Sequence, residues 1–441
     1  MIEVKNPTEL IQALTAKDAS IVLTRSMMLT HSITLPNATS LSGKPQEDSA
    51  LPILMFQDSD GIGLTANNTI KNLIIHTPAN HRSIFNTNYE TDLGSFGFEN
   101  LELNGQFSFL SKSKLNNTFL NLKNINIIAA DTRGYLEQPQ KYGVNVLQGA
   151  LTIYNLNPDK NSLITVNAKK ISIGQKNSPV IGSGVFIAGF GDNGGRVEID
   201  DFSTNDVYST GKIPLGVADI ITGAIFIVNG AHAKKITQRG ETTTYGVNDM
   251  VLDAWGEVDE WDVMGSVTSY GPSGIGFVNF GTVKSFNAQA PIETFGLGAR
   301  GYNQYDGTLE EGHFSSIMTF GDGSIGVQIS KKVGHLTFDG GIVTHGSIGN
   351  SLVKGVIVDL PAYALSIKDG GVVSSITVKG NIQTKGKGVA SYNVESKALV
   401  NKMTITGKVS ATGEGSEPLN IQDGAQTPTD FSTDTNNKTT I

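Results

Sequence analysis

Across residues 244–346 one tripeptide returns every 25 positions: Thr244-Tyr245-Gly246, Ser269-Tyr270-Gly271, Thr294-Phe295-Gly296, Thr319-Phe320-Gly321 and Thr344-His345-Gly346. A second phase keeps the same spacing through Gly276-Phe277, Gly301-Tyr302 and Gly326-Val327. Two features locked to one period in this range mark a repeat architecture, in which each unit buries its apolar face only against its neighbours.

The flanks identify the kind of repeat. The frame Val263-Met-Gly265-Ser-Val267-Thr-Ser269-Tyr-Gly271 recurs from Phe338 to Gly346, from Val378 to Gly386 and from Ile405 to Gly413, and is recognisable from Val207 to Gly211. Apolar or small residues alternate with variable ones at period two, and glycine punctuates the corners, which is the pattern of half-buried strands. Parallel strands stacked coil on coil place equivalent positions about 4.8 Å apart. Val267, Ile292, Ile317 and Ile342 are therefore expected to form an inward aliphatic stack. Ser269, Thr294, Thr319 and Thr344 share their parity, whereas Tyr245, Tyr270, Phe295, Phe320 and His345 belong on the outer wall.

The reading is an all-β fold: a single right-handed parallel β-helix, or β-solenoid, with coils of about 25 residues and a short N-terminal capping helix. Asn6-Pro7-Thr8-Glu9-Leu10-Ile11-Gln12-Ala13-Leu14 supplies that helix, with Asn as its cap and Pro at its first position. Residues 1–20 form the cap and 21–420 the β-helix. Within it, 21–240 is less regular, 241–350 holds the regular coils and 351–420 longer ones. Residues 421–441 read as a polar, mobile tail. In the first half, Asn72-Leu73-Ile74-Ile75, Asn100-Leu101-Glu102-Leu103 and Asn124-Ile125-Asn126-Ile127 recur. Asparagine before a strand tolerates a left-handed corner, and stacked asparagines can form a ladder.

Composition narrows the function classes. A net charge of −8 argues against a nucleic-acid partner, which needs a basic stripe. With no cysteine, disulfides and thiolate metal sites are excluded. The histidines have no metal-ligand spacing, so neither a metal nor another cofactor is expected. No apolar run reaches the length of a membrane span, and no charged and apolar leader opens the chain. The expected location is the cytoplasm by default, or outside the cell if a signal was removed or release is unconventional.

With these residues in view, the chain resembles the pectate-lyase-like superfamily of right-handed parallel β-helices. The likeness rests on the repeat and on an opening of strand Ile2–Val4, helix Pro7–Leu14, strand Ile21–Leu23, then His31–Pro36 and Leu41–Gly43. It implies a fold that carries lyases, hydrolases, epimerases, transferases and phage tailspikes; the partner expected for this chain is an oligo- or polysaccharide. The motifs of its pectin-cleaving branches are not found: only Asp200-Asp201 is present, and Gly334-His335-Leu336 lacks a second glycine.

Candidate chemistry gathers in two stretches. Asp253-Ala-Trp255-Gly-Glu257-Val-Asp259-Glu260-Trp261-Asp262 holds both tryptophans among five carboxylates. Glycosidic hydrolysis uses two carboxyl groups, and tryptophan stacks on sugar rings. The competing reading is a solvated loop whose tryptophans fill the core. The second stretch, Glu293, Arg300, Tyr302, Tyr305 and Asp306, departs from strand alternation after Arg300, as a loop near a site does; its competitor is a surface ion pair. The expected acids and bases are Asp253, Glu257, Asp259, Glu293 and Asp306. Trp255, Tyr270, Phe295, Arg300, Tyr302 and Tyr305 are the expected substrate contacts. Two functions follow: a carbohydrate-active lyase or glycosidase acting on the outer wall, or a non-catalytic binding, adhesion or tailspike-like solenoid. Either admits a homo-oligomer.

Overall fold

A computed structural model describes residues 1–45, 50–87, 93–112, 117–353 and 356–435. Residues 436–441 of the expected tail lie outside the described residues. The chain divides into two compact units, 1–139 with 147–209 and 226–236, and 140–146 with 210–225 and 237–441. Each is all-β and built from parallel strands stacked as in a parallel β-helix. Among the described residues no helix is long and apolar enough to cross a membrane.

In the first unit the α-helix Pro7–Thr15 starts where its sequence says it should. The Asn6 side chain accepts from Glu9 N at 3.0 Å and donates to the Glu9 carboxylate at 2.8 Å, while Leu10, Ala13 and Leu14 are buried. Beyond it, strands Thr69–His76, Gly94–Asn104, Asn117–Ala129 and Leu163–Ile173 pair in parallel. Leu73, Leu101, Ile125 and Ile171 fall in one buried column. The residue before each is a left-handed corner: Asn72, Asn100 and Asn124 have φ of 53°, 55° and 54°. Their side chains form the expected ladder, Asn100 donating to Asn72 and Asn124 to Asn100, each at 2.9 Å.

In the second unit each regular coil contributes three strands. A long one runs Glu257–Val263, Thr282–Ala288, Thr308–Phe314 and Lys332–Phe338. A short one runs Val267–Ser269, Ile292–Thr294, Ile317–Thr319 and Ile342–Thr344. A third runs Asp249–Ala254, Ile275–Asn279, Arg300–Gln304 and Ile325–Ile329. The short strands pair Val267↔Ile292↔Ile317↔Ile342, all fully buried, and the column continues through Ile382 and Val409. The wider step to Ile382 accommodates an antiparallel pair, Ile348–Val353 with Val356–Pro361. Ser269, Thr294, Thr319 and Thr344 line the interior, where Thr244 Oγ1 donates to Ser269 Oγ at 3.3 Å and Thr344 Oγ1 to Thr384 Oγ1 at 3.1 Å.

The glycine of the repeated tripeptide has a steric cause. A Cβ on Gly271 would lie 1.7 Å from Gly246 O, and one on Gly296 1.9 Å from Gly271 O. Successive corners stack too closely for any side chain. Between the walls, Phe277, Phe286, Tyr302, Phe314 and Phe338 form an aromatic core, with centroids 3.9 Å apart at Phe277–Phe286 and 5.1 Å at Phe314–Phe338. Trp261 joins it edge-on.

Candidate functional site

The third-strand wall of the second unit carries a cleft of about 530 Å³. Register builds its floor: Met250, Ile275 and Arg300 occupy one position of successive coils, and Asp253, Val278 and Asn303 another. Where the strands end, Trp255, Phe280 and Tyr305 follow at the same 25-residue spacing, so their rings meet from coil to coil. Phe280 stacks on Tyr305 at 4.8 Å and meets Trp255 edge-on at 5.8 Å.

Two segments roof this floor. One is a hairpin, Gln140–Lys141 with Val144–Val146, turning through Tyr142 and Gly143 at φ of 56° and 86°. Two consecutive left-handed residues are what a two-residue hairpin turn of matching twist requires, and a tyrosine there is costly unless packing holds it. Packing does: the Tyr142 ring stacks on Phe280 at 4.5 Å and stands edge-on to Trp255 at 5.2 Å. The other segment brings Ala218 and Ile221 over the cleft. It is tied down by Asn248 Nδ2 donating to Val217 O at 2.8 Å and by Asp249. That buried carboxylate accepts from Gly211 N at 3.1 Å, Gly246 N at 2.6 Å and Thr222 Oγ1 at 2.7 Å.

The roof sets the electrostatics. Asp253 has no exposed surface, and neither carboxyl oxygen has a geometrically good hydrogen-bond partner among the described residues. Burial therefore pushes its pKa well above the carboxylate range, and the nearby Trp255 indole offsets this only in part. Burial also raises Asp249, to about 6, against the opposing pull of Thr222, Gly211 and Gly246. Arg300 is buried too, which lowers its pKa to about 10. Asp306 is half-buried at the rim beside Tyr305, and exposed Lys331 completes it.

Of the residues nominated from the sequence, the cleft unites Asp253, Trp255, Arg300, Tyr305 and Asp306. The others lie elsewhere. Glu257 is exposed and Asp259 half-buried on the long-strand wall, where Asp259 pairs with Lys284 at 2.8 Å, an ion pair of the kind worth little. Glu293 is half-buried on the short-strand wall. Tyr270 and Phe295 belong to the outer aromatic ladder at its corner, with centroids 5.6, 5.1, 4.6 and 4.6 Å apart from Tyr245 through His345. Tyr302 is a core residue facing away from the cleft, its hydroxyl donating to Gln304 Oε1 at 2.6 Å. Two local expectations are corrected: Asp253–Asp262 is not a solvated loop but the end of one strand and most of the next, although both its tryptophans are buried as that reading had them, and Arg300–Gln304 is a strand rather than a loop.

Phe280 was signalled by its spacing from Trp255, whereas Tyr142, Met250 and Asn303 carried no comparable signal. Among the described residues no cluster of three or more His, Asp or Glu is arranged to hold a metal ion. Fold and cleft together define a class: a parallel β-helix with an aromatic, roofed cleft on one wall. The chain matches no family model, no curated protein and no solved structure.

Proposed function

We propose that this chain is a carbohydrate-active β-helix protein that hydrolyses a glycosidic bond in the third-strand cleft. The observation that carries the proposal is Asp253, a fully buried carboxyl whose pKa burial raises well above the carboxylate range, in an aromatic-walled cleft that holds a second carboxyl, Asp306. A protonated acid and an ionised carboxylate are the pair glycosidic hydrolysis uses. Asp253 gives its proton to the departing glycosidic oxygen. Asp306 either takes a proton from the attacking water, or attacks the anomeric carbon to form a glycosyl ester that water then cleaves, the water's proton returning to Asp253. Trp255, Phe280 and Tyr305 offer flat apolar faces to sugar rings once Tyr142, which stacks on Phe280 and stands against Trp255, moves aside. The likeness to the pectate-lyase-like superfamily supports a polysaccharide substrate, and a proton-donating Asp253 favours hydrolysis over elimination. Because Asp253 has no exposed surface, substrate entry requires the roof to move.

The non-catalytic reading has one specific observation in its favour, the aromatic ladder from Tyr245 to His345, exposed at Tyr270 and Phe295 and half-buried at its other rungs, which offers a binding strip. Mass spectrometry of products from a panel of neutral and acidic polysaccharides separates the two. The hydrolase reading expects a product whose formation falls about 100-fold or more in both Asp253→Asn and Asp306→Asn. No product with any polysaccharide, or product formation that survives both substitutions, removes it.

A further inference from the structure

The cleft contains a charge that the protein leaves without a counter-ion. Arg82, Arg133 and Arg196 all lie nearer solvent, and each stands against a carboxylate: Asp60, Asp131 and Glu198. Arg300 is only 6% exposed, yet among the described residues it has no carboxylate partner. Its Nη1 donates to Gly298 O at 3.2 Å, and its Nε–H donates to nothing. At neutral pH the guanidinium remains cationic. Removing one partner of a buried ion pair is strongly destabilising, so a fold that keeps such a cation alone carries a cost that ligand binding would offset.

The surroundings fit one kind of ligand. Nε–H forms part of the edge by which a guanidinium grips an oxyanion through two parallel bonds. Exposed Lys331 at the rim adds a second positive charge. Of the two carboxyls in the cleft, Asp253 lies about two coils and so roughly 10 Å away along the stack, and burial raises its pKa, which favours its neutral form; Asp306 sits half-buried at the rim and makes no ion pair with Arg300. The rings of Trp255, Phe280 and Tyr305 lie along the same cleft for an apolar or sugar ring.

We propose that the cleft is an anion-binding site in which Arg300 receives a carboxylate, sulfate or phosphate group carried by a ring-bearing ligand. That the ring is a sugar rests on the function proposed above; that the ligand is an anion does not. Nothing in the charge balance of the chain favours this by default, since its net charge is −8.

The test follows Trp255 fluorescence and thermal melting of the full chain, with Trp261, sealed in the core, as the constant background. The probes are glucuronate, glucose 6-phosphate, glucose 6-sulfate, neutral glucose, and inorganic phosphate and sulfate alone. The expected result is saturable binding of at least one anionic sugar about tenfold or more tighter than glucose, weakened by salt. Arg300→Met should abolish the difference and melt at a higher temperature than the unliganded parent, because it removes an unpaired buried charge. Arg300→Gln gives the same binding comparison should the methionine variant fail to fold. Equal binding of glucose and the anionic sugars, unchanged in the variants, overturns the anion site and leaves the glycan reading standing. Binding of inorganic phosphate or sulfate as tightly as the sugars, lost in the variants, supports the anion site and removes the sugar. Failure of every anion to bind overturns the inference.

Discussion

At the scale of single residues, Asp249 is a carboxylate that the fold both uses and penalises. It ties the roof segment to the corner at Gly246 through three donors, yet burial outweighs them and its pKa stands at about 6 rather than 3.8. The folded chain thus binds a proton that the unfolded chain has already released between those values. Stability from this residue is complete below about pH 4 and is lost as pH rises to about 6. A gap of about two units is worth about 3 kcal/mol. Asp253 acts in the same direction, so the comparison is between the parent and Asp249→Asn rather than with a flat baseline. Urea midpoints measured from pH 4 to pH 7 should fall more steeply for the parent than for the variant; parallel curves would show that Asp249 does not titrate in this window. Nothing in the sequence marked Asp249, because it sits outside the acidic run and its burial comes from a roof segment distant in the chain. Asp253 and Trp255 were nominated by the run that holds both tryptophans among five carboxylates, and Arg300, Tyr305 and Asp306 by a stretch where strand alternation lapses.

At the scale of elements, the asparagine corners tie sequence to geometry most directly. Each combines a left-handed backbone with a side-chain ladder, and substitution separates the two. Asn100→Ala places a Cβ-bearing residue without a local hydrogen bond in the left-handed region, which costs about 1–2 kcal/mol. Asn100→Gly relieves the backbone and loses only the ladder, so its loss should stay below about 1 kcal/mol. Urea denaturation of the two variants decides the matter, and equal losses would assign the whole effect to the ladder. Alternation made the half-buried strands readable, and it failed where strands are covered on both faces. Arg300–Gln304 is buried throughout, outward positions included. A strand without a solvent face shows no period of two, which is why this one resembled a loop. Tyr142 was unreadable for a related reason: its hairpin turn is local, but its partners Trp255 and Phe280 lie far downstream.

At the scale of the whole molecule, the repeat fixes which residues meet and says little about what the surface does. Within the second unit each regular coil pairs with the coil 25 residues before and the coil 25 residues after. The interactions of a stacked aliphatic residue therefore end at its immediate neighbours, and energetic coupling should end there as well. Ile292 and Ile317 are adjacent in the buried column, whereas Ile342 stands between Ile317 and Ile382. Each truncation to alanine should cost about 2–5 kcal/mol, since the side chains are fully buried and the neighbouring coils cannot collapse into the space. The double variant of Ile292 and Ile317 should depart from additivity by about 0.5–3 kcal/mol, because one cavity enlarges the other. Ile292 and Ile382 lie three coils apart, roughly 14 Å by the stacking distance, and their losses should add to within about 0.5 kcal/mol. Isoleucine-to-valine changes at the same sites repeat the cycle should the alanine variants unfold. Coupling at three coils as strong as at one would mean that the coils respond as a single rigid core, and the nearest-neighbour account of this fold would have to be given up.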